Sequence, residues 1–283
     1  MSAEIQDALR SEARKLLEEG KVDKILGYCM SGDRVVPCMV YAADEVDKLI
    51  YNNRCKINLA RYLRECDGRV GVVAKGCDSR AIVELLKAKQ LDRSDLFIWG
   101  VSCPGMVDSE GRQYRSCSVC THRNPVVYDG FLGKLVEEKP RLKDDELGLG
   151  SRDERMSYWS KQFSRCISCM ACRNVCPMCY CKECVLEKKD PEWVARGGDI
   201  SDIFVYHAIK AMHMAGRCVE CGECERACPV DIPLMHLYSR VCRDVEQLFG
   251  VEAGMDENDK PPLSVFDLEA DAILEENEKN KKS

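Results

Sequence analysis

The sequence predicts two parts, an N-terminal α/β domain with a parallel-strand unit and a smaller α+β domain with a helical insert. The first prediction rests on two short apolar runs, 70–74 and 95–101, which flank a helical segment over 79–90. Parallel neighbouring strands are usually joined by such a helical crossover. The second prediction rests on a cysteine spacing that occurs twice between residues 166 and 228.

Changes in composition divide the 283 residues further. The predicted segments are a charged amphipathic helix (1–20), the α/β domain (21–135), a charged connector (136–155), the cysteine-repeat domain (156–245) and a charged C-terminal tail (246–283). Within the tail, residues 265–274 form a short amphipathic stretch, which is either mobile or a helix that docks onto a partner.

Cysteine is the outlier in the composition, with 20 in the chain. The formal net charge of −6 argues against nucleic acid as the main partner. The N-terminal helix lacks the apolar core and cleavage site of a signal peptide. No stretch approaches the roughly 18 continuous apolar residues that span a bilayer. We therefore expect a cytoplasmic protein, in which so many cysteines indicate metal binding rather than disulfides.

Two segments, 166–177 and 218–229, share the spacing C-x2-C-x2-C-x3-C-P. A loop with thiolates every third residue can hold three corners of a 4Fe-4S cube, and in bacterial two-cluster ferredoxins the fourth cysteine ligates the other cluster. On that pattern one cluster takes Cys166, Cys169, Cys172 and Cys228, and the other takes Cys218, Cys221, Cys224 and Cys176. Structural zinc also uses CxxC pairs, but it gives no reason for two four-cysteine runs that each end in proline.

A third group of cysteines lies in the α/β domain. Cys77 and Cys103 each follow a predicted parallel strand, and the pair Cys117 and Cys120 follows on a loop. Neighbouring parallel strands deliver such residues to one edge of the sheet, and the helix after Cys77 would point its amide end toward that edge. The four thiols can therefore converge on a third 4Fe-4S cluster. The alternatives are two unrelated cysteines beside a zinc-like pair, or Cys55 in place of one ligand.

Several of these segments together resemble the beta subunits of the coenzyme F-420-dependent hydrogenase and formate dehydrogenase family. They are 74–82 (AKGCDSRAI), 100–106 (GVSCPGM), the CxxC at 117–120 and the cysteine run 176–184 (CPMCYCKEC). The resemblance covers most of residues 20–240. It implies several 4Fe-4S clusters, one of them on the cysteines of the α/β domain, and in the full-length enzymes an FAD that exchanges hydride with the deazaflavin coenzyme.

The chain departs from this family in its length. Only 45 residues separate Cys120 from Cys166, which is too few for the flavin domain of the family, and no GxGxxG loop is present. We therefore interpret the chain as a shortened relative that keeps the clusters and has lost much of the flavin site.

Eight cysteines remain outside these three groups: Cys29, Cys38, Cys55, Cys66, Cys179, Cys181, Cys184 and Cys242. Cys179, Cys181 and Cys184 lie close enough in sequence to bind an additional cluster or a zinc ion if another ligand joined them. The default for the others is a packing thiol. His207 and His213, on a predicted helix over 202–216, are interpreted as packing or surface residues rather than metal ligands.

The function expected from these motifs is that of an iron–sulfur electron-transfer subunit in a multi-subunit anaerobic redox complex. The complex would be of hydrogenase, formate dehydrogenase or heterodisulfide-reductase type, with a flavin subunit among the partners, and the chain itself would supply no catalytic residue. The alternative is an FAD-containing oxidoreductase subunit that itself exchanges hydride with coenzyme F-420 or NAD(P). A redox sensor is disfavoured because no output module is evident in the sequence.

Overall fold

The computed structural model describes residues 2–140, 150–195 and 199–264, and the first of these ranges is called the N-terminal part below. The predicted amphipathic stretch at 265–274 lies outside the described residues, as do residues 141–149 of the predicted connector. In these three ranges no helix combines the length and the apolar character needed to cross a membrane.

A mixed sheet of five strands forms the core of the N-terminal part. The strands are β1 (Lys24–Ser31), β2 (Arg34–Val40), β3 (Val70–Ala74), β4 (Leu96–Val101) and β5 (Gly130–Leu132), in the order β2-β1-β3-β4-β5. β2 is antiparallel to β1, and the other neighbours are parallel. The parallel pairing of the two apolar runs in the sequence is therefore confirmed.

Four helices accompany this sheet: α1 (Ser2–Glu18), α2 (Ala60–Leu63), α3 (Gly76–Lys87) and α4 (Arg115–Ser118). Shorter 3-10 helices occupy Ala43–Lys48 and Arg93–Asp95. α1 buries Ile5, Leu9, Ala13 and Leu16, whose spacing places them on one face of the helix.

The strand–helix junction after β3 positions one of the candidate ligands. All five residues of β3 are buried, as expected for a central parallel strand that is covered on both faces. α3 begins at Gly76, three residues before the predicted start, because the Asp78 carboxylate accepts the backbone N–H of Lys75 at 2.9 Å and caps the first turn. Cys77 therefore lies in the first turn of α3.

The C-terminal part, residues 150–195 and 199–264, contains helices and connecting loops. Its helices are α5 (Arg152–Phe163), α6 (Ala171–Asn174), α7 (Ile200–His213), α8 (Glu223–Arg226) and α9 (Leu234–Phe249), with 3-10 turns at Val185–Glu187 and Pro262–Ser264. No strand occurs in 150–195 or 199–264, so the strand component of the predicted α+β class is wrong for the described residues. The reason is visible in α9, where Leu234, Tyr238, Val241 and Val245 are buried at helical rather than alternating spacing.

The segment predicted as a C-terminal tail begins inside α9, and its described portion returns to the N-terminal part. Gly250 ends α9 in the left-handed conformation, with φ of 65°. The guanidinium of Arg80 then donates to the carbonyl of Ala253 at 2.7 Å, and the N–H of Gly254 donates to Glu84 at 2.7 Å. Residues 250–254 are thus fastened to α3.

Gly76 is expected to tolerate no side chain, because a Cβ there would lie 2.2 Å from the carbonyl oxygen of His122. Gly76→Ala should lower the free energy of unfolding by about 1–3 kcal/mol, the usual effect of overpacking. The measurement is the midpoint of thermal unfolding, which falls by about 2–4 °C per kcal/mol. Gly130→Ala is the control, because its nearest contact would be an ordinary 3.5 Å. Equal midpoints for the two variants would contradict the prediction.

Candidate metal centres

Two cavities in the C-terminal part are each lined by four cysteines drawn from both repeats. The first cavity is lined by Cys166, Cys169, Cys172 and Cys228. The second cavity is lined by Cys176, Cys218, Cys221 and Cys224. In each cavity the last cysteine of one repeat lies beside the first three of the other. These are the same two sets that the spacing of the sequence groups together.

Both cysteine loops owe their shape to left-handed residues at matching positions. Ser168 and Met170 have φ of 51° and 60° in the first repeat, and Glu220 and Gly222 have φ of 54° and 75° in the second. Non-glycine residues rarely adopt this conformation, and they keep it where the surrounding structure enforces it, often at functional sites. The alternation turns each loop around its cavity before a single helical turn, α6 or α8, begins.

Helix α7 runs along both cavities. Tyr206 and His207 line the first cavity, whereas Lys210 and Met214 line the second. Residues four apart in a helix are separated by about 6 Å along its axis. The two cavities are therefore near neighbours, with one turn of α7 between the residues that each receives.

Burial dominates the electrostatics of two of the four thiols in the second cavity. It raises the pKa of Cys221 and Cys224 well above the ordinary thiol value. Cys176 differs from them, since a hydrogen bond from Cys179, assisted by the nearby Lys210, lowers its pKa to about 6. Thiolates in this cavity thus need positive charge, which bound metal supplies, because a coordinating thiol is deprotonated.

His207 is a buried residue of the first cavity without a hydrogen bond at either ring nitrogen, as far as the structure describes the chain. It stacks on Phe163 with ring centres 4.4 Å apart. Burial and the charge of Lys210 lower its pKa to about 4, so the ring is neutral at pH 7. His213 is exposed.

The third group of cysteines lies at the carboxyl edge of the sheet. Cys77 follows β3, Cys103 follows β4, and Cys117 and Cys120 lie in and after α4. Burial is the main cause that raises the pKa of Cys103 to about 11, and the charges of Cys117 and Cys120 add to it. Cys103 in turn contributes to the raised pKa of Cys77, after burial, Asp78 and Cys221. The four thiols are therefore electrostatic neighbours.

The Cys55 sulfur makes its polar contacts with nearby backbone groups. Its sulfur accepts the backbone N–H of Asn52 at 3.3 Å, and its thiol lies 3.9 Å from the carbonyl of Ile50.

A third cavity connects this group to the C-terminal part. Cys77 and Cys120 line it from the N-terminal side, and Val219 and Met235 line it from the opposite side. Val219 and Met235 also line the second cavity. Two side chains thus form a shared wall between the second cavity and the third.

A buried ion pair fastens α8 to the N-terminal part. Glu223 and Arg226 are joined at 2.8 Å, with side chains 9% and 8% exposed. Glu223 accepts the backbone N–H of Asn58 at 2.9 Å, while Arg226 donates to the Ser116 hydroxyl at 3.1 Å. The amide of Asn58 also donates to the carbonyl of Cys77 at 3.0 Å. The contacts of this pair therefore reach the backbone around Cys77 and the residue before Cys117.

The cysteine run after the first repeat does not gather into a metal-ion site. Within the described ranges, no three His, Cys, Asp or Glu side chains are grouped closely enough to hold a single metal ion. Cys179 is engaged by Cys176, Cys181 is exposed, and Cys184 precedes a 3-10 turn. The additional site on Cys179, Cys181 and Cys184 stays a prediction.

Sequence reasoning missed two features of this region. One is the Glu223–Arg226 pair, whose partners at Asn58 and Ser116 lie more than a hundred residues away and give no local signal. The other is Lys210, which could have been found, because it lies three and four residues from His207 and Tyr206 on the buried face of α7.

Comparison with known proteins agrees with this geometry. A family described as a 4Fe-4S dicluster domain matches residues 161–232. The chain is 38% identical to the F420-dependent formate dehydrogenase subunit beta of Methanocaldococcus jannaschii, over 94% of this chain and 96% of the relative. It is 21% identical to the F420-dependent formate dehydrogenase 1 subunit beta of Methanococcus maripaludis, over 88% of this chain and 90% of the relative. The first alignment spans 370 residues, which exceeds the 283 of this chain by 87 (370 − 283 = 87).

Arg226→Met is expected to lower the free energy of unfolding by about 3–5 kcal/mol, because it leaves the Glu223 carboxylate buried without its cation. Arg240→Met is the matched control, since Arg240 pairs with Asp244 at 2.9 Å with side chains 59% and 43% exposed. Such a surface pair contributes about 0–1 kcal/mol. Urea unfolding, followed by circular dichroism, measures the free energy of unfolding of both variants. Equal midpoints would show that α8 does not depend on the pair.

Proposed function

The chain belongs to the family of F420-dependent formate dehydrogenase beta subunits, and from this premise we propose that it relays electrons through three 4Fe-4S clusters in a multi-subunit redox complex. The observation that carries the proposal is the pair of cavities, each lined by four cysteines contributed by both repeats. A bound 4Fe-4S cluster supplies a centre for one-electron chemistry at a potential set by its surroundings.

The donor sets fit such clusters. Four thiols surround each cavity, which is the ligand number of a cubane cluster. We assign Cys166, Cys169, Cys172 and Cys228 to cluster 1, and Cys176, Cys218, Cys221 and Cys224 to cluster 2. The protein contributes burial, which excludes water, and loops whose left-handed residues fix the direction of each thiol.

We assign the third cluster to Cys77, Cys103, Cys117 and Cys120. Three features support this assignment: the placement of the thiols at one sheet edge, their mutual electrostatic influence, and the amino-terminal end of α3 beside Cys77. The amide end of a helix favours negative charge, which a thiolate-bound cluster carries.

The three assigned sites form a series with cluster 2 in the middle. One turn of α7 lies between the residues that line the first cavity and those that line the second. Val219 and Met235 line both the second cavity and the third, and they separate the two. Cys169 is exposed at the outer end of the series. We propose that a redox partner exchanges electrons with the protein near Cys169, and that the opposite end of the series is at the α/β domain.

The proposed partners are a formate-oxidising or hydrogen-oxidising subunit and a flavin-bearing or heterodisulfide-reductase-type subunit. The names of the relatives favour the formate-oxidising partner. Two lengths support a subunit without its own flavin site. The alignment with the M. jannaschii relative is longer than this chain, and only 45 residues separate Cys120 from Cys166. The reducing cytoplasm is the compartment that suits twenty cysteines in such a role.

Iron analysis of anaerobically purified protein should give about twelve irons per chain, from three clusters of four. About eight irons would remove the cluster of the α/β domain, and about sixteen would require a further cluster. The same samples should be extracted for flavin. Stoichiometric FAD would overturn the relay in favour of the FAD-containing oxidoreductase.

Cys117→Ser should lose about four irons and leave the electron paramagnetic resonance signals of clusters 1 and 2 in place. The control is Cys66→Ser, because Cys66 is a half-buried thiol that donates to the carbonyl of Tyr62 and belongs to none of the three groups. Loss of the signals of clusters 1 and 2 in the Cys117 variant would show that the ligands are grouped differently.

A further inference from the structure

Lys210 is a buried lysine whose charge has no carboxylate partner among the residues that the structure describes. The residue is only 3% exposed. Its ammonium donates to the hydroxyl of Tyr238 at 2.9 Å and lies 4.6 Å from the centre of the same ring. A hydroxyl and an aromatic face attract a cation but carry no net charge, so they leave the full positive charge of Lys210 without an opposite charge.

Other buried cations in the described part of the chain are paired with carboxylates, and Arg80 lies 3.4 Å from Glu252. Lys75 is joined to Asp78 at 2.7 Å, and Arg226 is joined to Glu223 at 2.8 Å. Burial of an ionised group is strongly unfavourable unless an opposite charge compensates it. Lys210 therefore requires a counter-charge of another kind.

The surroundings of Lys210 identify that counter-charge. Lys210 lines the second cavity together with all four cysteines of the proposed cluster 2. Among those cysteines, its charge lowers the pKa of Cys176 and opposes the rise in the pKa of Cys224 that burial causes. It acts in the same direction on Cys172 of the first cavity. Of the thiols that interact with this cation, Cys176 and Cys224 are candidate ligands of cluster 2, and Cys179 is the hydrogen-bond partner of Cys176.

We propose that Lys210 is the built-in counter-charge of cluster 2 and raises its reduction potential relative to the potential that the same thiolate set would give without a cation. This inference rests on the proposed function, because it requires a cluster in the second cavity. Net charge and hydrogen bonding around a cluster are established determinants of its potential. Each added electron makes the cluster more negative, so a fixed ammonium stabilises the reduced form more than the oxidised form.

The position of Lys210 gives this charge a specific consequence. Cluster 2 is the middle of the proposed series, so a raised potential increases the share of electrons that rest there between cluster 1 and the cluster of the α/β domain. Cluster 1 should feel the charge less, through Cys172 alone. The cysteines of the α/β domain have a different cation, Lys75, as their neighbour.

The test is an anaerobic redox titration of the whole chain, followed by electron paramagnetic resonance, in Lys210→Met and Lys210→Arg. Methionine keeps much of the length and volume of lysine without its charge, and arginine keeps the charge. For Lys210→Met, the equilibrium constant for reduction of one centre should fall at least tenfold, which corresponds to about 59 mV for a one-electron couple. The centre of the α/β domain should not move and serves as the internal reference. For Lys210→Arg, the same constant should stay within about threefold of the wild type.

Iron content is measured on the same samples. Loss of about four irons in Lys210→Met with retention in Lys210→Arg would support the proposal, because assembly of the centre would then depend on the charge. Unchanged potentials in Lys210→Met, or loss of the same irons in both variants, would overturn it in favour of a packing role. A wild-type protein without reducible iron would instead defeat the proposed function, so the two failures are distinguishable.

Discussion

The exchange of cysteines between the two repeats is the constraint on which the C-terminal part depends. Each cavity needs three thiols from one loop and a fourth from the other, so neither loop can complete its cavity alone. The left-handed residues in both loops and the passage of α7 along both cavities follow from this requirement. Because the two cavities share α7, the sites that they form are held at a fixed and short separation.

The α/β domain joins the proposed series of three clusters through one edge of its sheet. Parallel β3 and β4 end at one edge, which brings Cys77 and Cys103 to the same side of the sheet. The Glu223–Arg226 pair then brings α8 against that edge through Asn58 and Ser116. A buried pair of this kind adds little net stability compared with apolar packing, yet it is costly to break, so it specifies one arrangement of the two parts.

The features that the sequence predicts are those with a local cause. β3 lies at the predicted residues because its apolar run is short and bounded, and the cysteine sets follow from repeated spacing. The early start of α3 depends on the capping contact of Asp78, and the return of residues 250–254 depends on Arg80, about 170 positions earlier in the chain. The strands of the α+β class predicted for the second domain have no such local cause, because cysteine spacing carries no information about backbone periodicity, whereas the buried residues of α9 recur at helical spacing.

The two buried lysines beside these sites differ in how their charge is compensated. Lys75 beside the third group is neutralised by Asp78, whereas Lys210 beside the second cavity is surrounded by Tyr238 and the thiols.

The central claim is that clusters 1 and 2 are each bound by cysteines of both repeats, and iron anomalous diffraction from anaerobic crystals tests it most directly. The account predicts iron density in the first cavity bonded to Cys228 as well as to Cys166, Cys169 and Cys172. Iron bonded to Cys228 together with the other three cysteines of its own repeat would contradict it.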